Sequence, residues 1–217
     1  MDSIVEDLTP DREIAVASAA PTDRGGLAAL LALDQRFGAI VRAARDPMIG
    51  QMRLTWWHDA LARLDQAPPP AEPLLQALAA EVLPHGVTGA ELAMLVEGWE
   101  MLLEGMPDDP AGFDAYAAAR GGALFALAGR VLGADAEALR TAGQGWALAD
   151  LASHSSDDAL AGEIRRHADD LLQRAFANRW DAARAVGILA LLARLALGDR
   201  SPLAKSLIVV RFRMTGR

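Results

Sequence analysis

The 217-residue chain is 52% hydrophobic and 23% charged, which is enough apolar material for one well-buried domain and too much for a disordered polymer. Its formal net charge of −8 disfavours nucleic acid as a partner, because phosphates attract basic surfaces. The absence of cysteine excludes disulfides, thiolate metal sites, iron–sulfur clusters and cysteine nucleophiles. With 46 Ala and 32 Leu, both strong helix formers, the composition predicts an all-α fold.

Residues 1–25 are polar, hold Pro10, Pro21 and Gly25–Gly26, and read as a lead-in to a single helical domain over 26–217. The opening MDSIVEDLTPDRE is acidic where a signal peptide is basic and then apolar. The most apolar later stretch, Ala185 to Gly198, contains Arg194 and is too short to span a bilayer. A cytoplasmic protein is expected, with any membrane contact made from the side.

Leu27 to Ala44 has a helical pattern. Asp46 then caps a second helix whose first turn holds Pro47, where a missing N–H is harmless. That helix runs to about Leu64 and is apolar on two faces, Ile49, Met52 and Trp56 on one and Leu54, Trp57 and Leu61 on the other. Such a pattern predicts a helix inside the domain with both tryptophans buried.

Pro68–Pro70 breaks the chain before a short helix from Glu72 to Val82. Thr88 and Glu91 form a capping box that opens a helix to Glu104. Beyond Pro107 and Pro110, helices are predicted over Phe113–Leu132, Asp135–Leu151, Asp158–Asn178 and Asp181–Leu197. A last one starts at Ser201-Pro202 and ends near Arg213. That makes about nine helices, with no alternating strand pattern and no repeat.

Three segments carry a family resemblance. The run DPMIGQMRLTWWHDAL, Asp46 to Leu61, is similar to the DPxxGxxRLxWWxxAL helix of the squalene/phytoene synthase family. FDAYAAARGGALFALAGRVLG, Phe113 to Gly133, resembles that family's tyrosine helix, and GQGWALADL, Gly143 to Leu151, resembles the helix bearing its second aspartate motif. The resemblance implies the isoprenoid synthase bundle around a deep apolar cavity.

Catalysis in this family needs two D-x-x-x-D motifs on facing helices. Residues four apart share a helix face, so each motif points two carboxylates inward to hold Mg²⁺ ions that carry a prenyl diphosphate. The first motif's key positions fall here on Gly38 and Arg42. At the second, His154 stands in one carboxylate place, and only Asp158 survives. Imidazole is a poor Mg²⁺ ligand. The resemblance therefore implies a member without a metal cofactor, closer to the branch that holds a mitochondrial factor for respiratory complex I assembly.

Two readings of function follow. In one the chain is non-catalytic and binds a prenyl or other apolar molecule or a protein partner. In the other it is a Mg²⁺-dependent prenyl-diphosphate transferase whose metal ligands are relocated to Asp34, Asp46, Asp150 and Asp158. Support of an active paralogue is a third possibility.

The candidate ligand-binding residues are Arg53, Tyr116, Asp150, His154 and Asp158. Arg53 lies within an apolar helix, as a ligand-phosphate contact or the partner of a buried carboxylate, and is expected with Tyr116 at the polar mouth of a cavity. Asp150, His154 and Asp158 are spaced i, i+4, i+8 and share a face if their helix continues. The cluster Ser153, Ser155 and Ser156 argues instead for a break, with Asp157 or Asp158 as the next N-cap.

The stretch from Arg200 to Arg217 holds Lys205, Arg211 and Arg213 and no acid. Interleaved with Leu207, Val210 and Phe212, it has the make-up of an interfacial helix, or of an ordinary helix docked on the bundle.

Overall fold

A computed structural model describes residues 8–177, 179–181, 183–198 and 201–217, with the side chains of 136–138 and 202 outside the description. The first seven residues of the lead-in, Asn178 and the basic Arg200 therefore lie outside the described residues.

The described chain is all-α, without a strand. In order it forms α1 (Pro10–Ala17), α2 (Arg24–Ala43), α3 (Pro47–Ala62), α4 (Pro73–Glu81), α5 (Gly89–Ala93), α6 (Glu97–Glu104), α7 (Pro110–Ala117), α8 (Ala123–Val131), α9 (Ala136–His154), α10 (Asp158–Ala175), α11 (Arg184–Ala196) and α12 (Pro202–Thr215). A 3-10 turn joins α5 to α6, and a π turn, Ala118–Gly122, joins α7 to α8, so these are ten helical rods.

The caps expected from sequence are in place. Asp46 accepts from the Met48 N–H at 2.9 Å, Thr88 and Glu91 close a reciprocal capping box, and Ser201 accepts from the Ala204 N–H.

The one rod beyond the nine expected, α1, lies inside the polar lead-in. Pro10 at its first position and Asp11 and Glu13 in its first turn suit a helix N-terminus. α1 packs against α11 and α2 and buries Arg12, Ala15 and Val16. Its polar appearance comes from its solvent side and from one arginine that has an interior partner. Gly25–Gly26 likewise sits within α2. A Cβ on Gly26 would meet the Glu81 carbonyl oxygen and Val131, so the glycine permits close packing against α4 and α8.

α9 is the axis of the bundle, in contact with α7, the π turn, α8, α10 and α11. Its crossing with the π turn is tight because glycine faces glycine. A Cβ on Gly121 or on Gly143 would collide with the other's carbonyl group.

One expectation is corrected at α3. Trp57 is 5% exposed and packs edge-on to Phe37, but Trp56 is 50% exposed, and Met48, Ile49 and Met52 also face outward. Of the two apolar faces, only the one bearing Gly50, Leu54, Trp57 and Leu61 has helices to pack on, namely α2, α5 and α6. α3 is a wall of the bundle with an uncovered apolar side.

Truncation should separate the two tryptophans. Trp57→Ala is expected to lower stability by about 3–5 kcal/mol, the range for a buried large aromatic. Trp56→Ala should change it by less than about 1 kcal/mol. Urea unfolding of both variants measures the difference.

Candidate functional site

The polar centre of the bundle is built on Arg120, which is 2% exposed and sits in the π turn between α7 and α8. Single π turns inside α-helices are frequent at functional sites, since the extra residue re-aims a side chain. A buried guanidinium needs its charge and all of its donors matched. Its Nε donates to Asp34 Oδ1 at 3.0 Å, one terminal nitrogen donates to Asp34 Oδ2 at 3.3 Å, and the other donates to Asp150 Oδ2 and the Tyr116 hydroxyl, both at 2.6 Å. Its faces are covered by Trp99, at 4.0 Å from the ring centroid, and Trp146, at 4.9 Å.

Asp34, buried in the middle of α2, is satisfied from two further directions. Arg12 of α1 donates to Oδ2 at 2.5 Å while also reaching the Leu31 carbonyl, and the Trp99 indole N–H donates to Oδ1 at 3.0 Å. Burial by itself would raise the Asp34 carboxyl, but the Arg120 and Arg12 guanidiniums outweigh it and hold the group below its ordinary value. Burial also pushes the Tyr116 hydroxyl up to about 12, with Asp150 and Asp34 adding to the rise against the pull of Arg120. Tyr116 is therefore a neutral phenol. Burial works against the charge on Arg120, and the Asp34 and Asp150 carboxylates more than restore it.

A cavity of about 200 Å³ opens beside this network, with Arg42, Trp99, Met106, Tyr116, Arg120 and His154 among its walls. His154, half exposed at the end of α9, donates from Nδ1 to the Asp150 carbonyl at 2.8 Å and lies 3.9 Å from the Asp150 carboxylate.

Three of the five candidate residues, Tyr116, Asp150 and His154, thus meet at one cavity. Two do not. Arg53 is exposed on α3 and does not line the cavity, because the register that buries Leu54 and Trp57 turns it to solvent. Its expected place, as the buried partner of a carboxylate, is taken by Arg120. Asp158 is exposed in the first turn of α10. The helix breaks after His154, and Asp157 caps α10 by accepting from the N–H groups of Ala159 and Leu160 at 2.8 and 3.1 Å. The i, i+4, i+8 face is therefore not continuous.

Sequence reasoning missed Arg12, Trp99 and Arg120. The available signals were a lone arginine in the run AAARGGA, four residues after Tyr116, and a lone acid at Asp34 among the leucines of α2.

The squalene/phytoene synthase profile matches residues 10–197. The chain belongs to the squalene/phytoene synthase family. No curated protein matches the sequence. A crystal structure of a dehydrosqualene synthase in complex with ligand superposes with a TM-score of 0.77, covering 98% of this chain and 94% of that one at 13% identity. A likeness at that identity speaks for the fold, the all-α isoprenoid synthase bundle.

The residues present do not fit the family's Mg²⁺–diphosphate clamp. Arg42 and His154 line the same cavity from α2 and α9, at the positions where the sequence resemblance puts carboxylates. At Gly38 a Cβ would lie 2.7 Å from the Trp99 ring and 2.9 Å from the Arg42 guanidinium. Among the described residues no three His, Asp or Glu side chains gather into a metal-holding group.

Replacing Asp34 by Asn should leave Arg120 buried and under-neutralised, and is expected to lower stability by about 3–5 kcal/mol. The Asp34 carboxyl titrates lower in the folded protein than its ordinary 3.8. Its contribution is thus complete above that pH and is lost as the pH falls through the folded-state value. Acid unfolding followed by circular dichroism should accordingly show a shallower dependence below about pH 4 in Asp34→Asn than in the parent.

Proposed function

We propose that this chain is a non-catalytic member of the family, a cytoplasmic protein that acts by binding a partner, as in the complex I assembly-factor branch that its motifs resemble. The observation that carries this reading is the saturation of Asp34. The acid nearest the first motif has both carboxylate oxygens engaged by Arg12, Arg120 and Trp99, and the Trp99 ring occupies the space that a side chain at Gly38 would need. Without facing carboxylates a prenyl diphosphate has neither a cation bridge nor a stabilised departure.

The remaining acids offered for a relocated metal site are also engaged or scattered. Asp46 caps α3, Asp150 pairs with Arg120, and Asp158 stands in solvent on α10. The cavity is small as well. Pockets for drug-sized ligands run from about 300 to 1,000 Å³, and this one holds about 200 Å³. That favours a protein partner over a prenyl chain as occupant. The uncovered side of α3 supports the same choice, because Met48, Met52 and Trp56 border a groove of about 670 Å³ with Leu103. Exposed methionines suit adaptable protein contacts.

Incubation with farnesyl or geranylgeranyl diphosphate and Mg²⁺ tests the reading. The expected result is no EDTA-sensitive release of diphosphate and no rise in melting temperature. A ligand at a hundred times its dissociation constant would stabilise by about 2.7 kcal/mol, which such a scan detects. EDTA-sensitive release would overturn the proposal in favour of the relocated-ligand transferase, in which Asp158→Ala should then be the most damaging single change.

A further inference from the structure

α12 is apolar on two opposite sides, and only one of them is used. Phe212 is buried against Phe176 and Trp180, and Ile208 and Val209 lean on the core beside it. At 100° per residue, Leu203, Leu207, Val210 and Met214 fall within a narrow stripe on the opposite side. All four are exposed, from 54% at Val210 to 79% at Leu203. Arg211 borders this stripe on one side and Arg213 on the other, with Arg217 just beyond the helix end, and residues 201–217 contain no acid.

A second feature adjoins the Arg211 side. A cleft of about 500 Å³ lies between α10, α11 and α12, with Arg165, Arg166 and Arg194 on its walls and Ile208 at its edge. Its one acid, Asp169, accepts a hydrogen bond from the Gln173 amide at 2.6 Å. On the helical wheel Arg211 sits between Ile208, at the cleft's edge, and the exposed stripe. Guanidiniums bind phosphate oxygens in bidentate fashion.

We propose that α12 and this cleft together form a docking surface for an anionic phospholipid bilayer, the stripe entering the acyl boundary while the arginines take headgroup phosphates. Charge complementarity selects this occupant. Two copies meeting stripe to stripe would set Arg211 and Arg213 of one against the arginines of the other, whereas an anionic surface neutralises both rows. No described helix is long and apolar enough to cross a membrane, so the contact is lateral. The proposal stands whether or not the bundle is catalytic.

Sedimentation of the full chain with phosphatidylcholine vesicles, with and without phosphatidylserine, tests it. Binding is expected only with phosphatidylserine, weakening as salt rises because screening is effective within about 10 Å at 0.1 M. A basic residue near such a surface is worth about fivefold in partitioning, so Arg211→Gln, Arg213→Gln and Arg217→Gln together should lower it about a hundredfold. Arg165→Gln with Arg166→Gln, both exposed, should lower it further with unchanged circular dichroism. Leu207→Ser with Met214→Ser should weaken it also in low salt.

Absence of binding to either vesicle, or equal binding to both, overturns the proposal. So does a dimer in sedimentation equilibrium that Leu207→Ser dissolves while vesicles stay unbound, which would assign the stripe to a second copy.

Discussion

A guanidinium taken out of water is strongly destabilising unless its charge and its donors are all matched, and the centre of this bundle is arranged around meeting that condition for Arg120. Asp34 comes from α2, Asp150 and Trp146 from α9, Tyr116 from α7 and Trp99 from α6, and Arg12 arrives from α1 to share Asp34. One side chain thereby fixes five helices relative to one another. The π turn that carries it is held by its crossing with α9, where Gly121 and Gly143 bring the backbones together. Buried ion pairs are weak evidence for net stability, but removing one partner from such a set is severe. The network therefore acts as a constraint on which packings the bundle can adopt.

The same network bears on chemistry. A carboxylate whose lone pairs are filled by two guanidiniums and an indole N–H has no free oxygen with which to hold a cation, and Asp34 is in that condition. Arg42 and His154 both line the neighbouring cavity. The charge that the bundle interior accommodates is carried by its own arginines, Arg12 and Arg120. The isoprenoid synthase bundle persists at 13% identity to a dehydrosqualene synthase, with Asp34, Arg12 and Arg120 paired to one another at its centre.

Two apolar surfaces are left over once the core is assembled. The outer side of α3 is rich in methionine and mixed in charge, and the outer side of α12 is bordered by arginine alone. Contiguous exposed apolar side chains on a bundle with an otherwise complete core mark interaction sites. Their different borders underlie the different occupants proposed for them, a protein contact at α3 and an anionic surface at α12.

The helices themselves were legible in the sequence, because Ala and Leu content, prolines at first turns and the caps at Asp46, Thr88 and Ser201 act over a few residues. So was the family, from runs such as DPMIGQMRLTWWHDAL. What the sequence left open was which way each side chain would turn. α3 has two apolar faces, and only the supply of neighbouring helices decided that Trp57 would be covered and Trp56 left half in water. Arg53 and Arg120 both stand in apolar runs. The register of α3 put the first in solvent, and the π turn swung the second toward Asp34, eighty-six residues away in the chain. Burial of a charge depends on partners brought together by the whole bundle, and no local pattern encodes where those partners arrive.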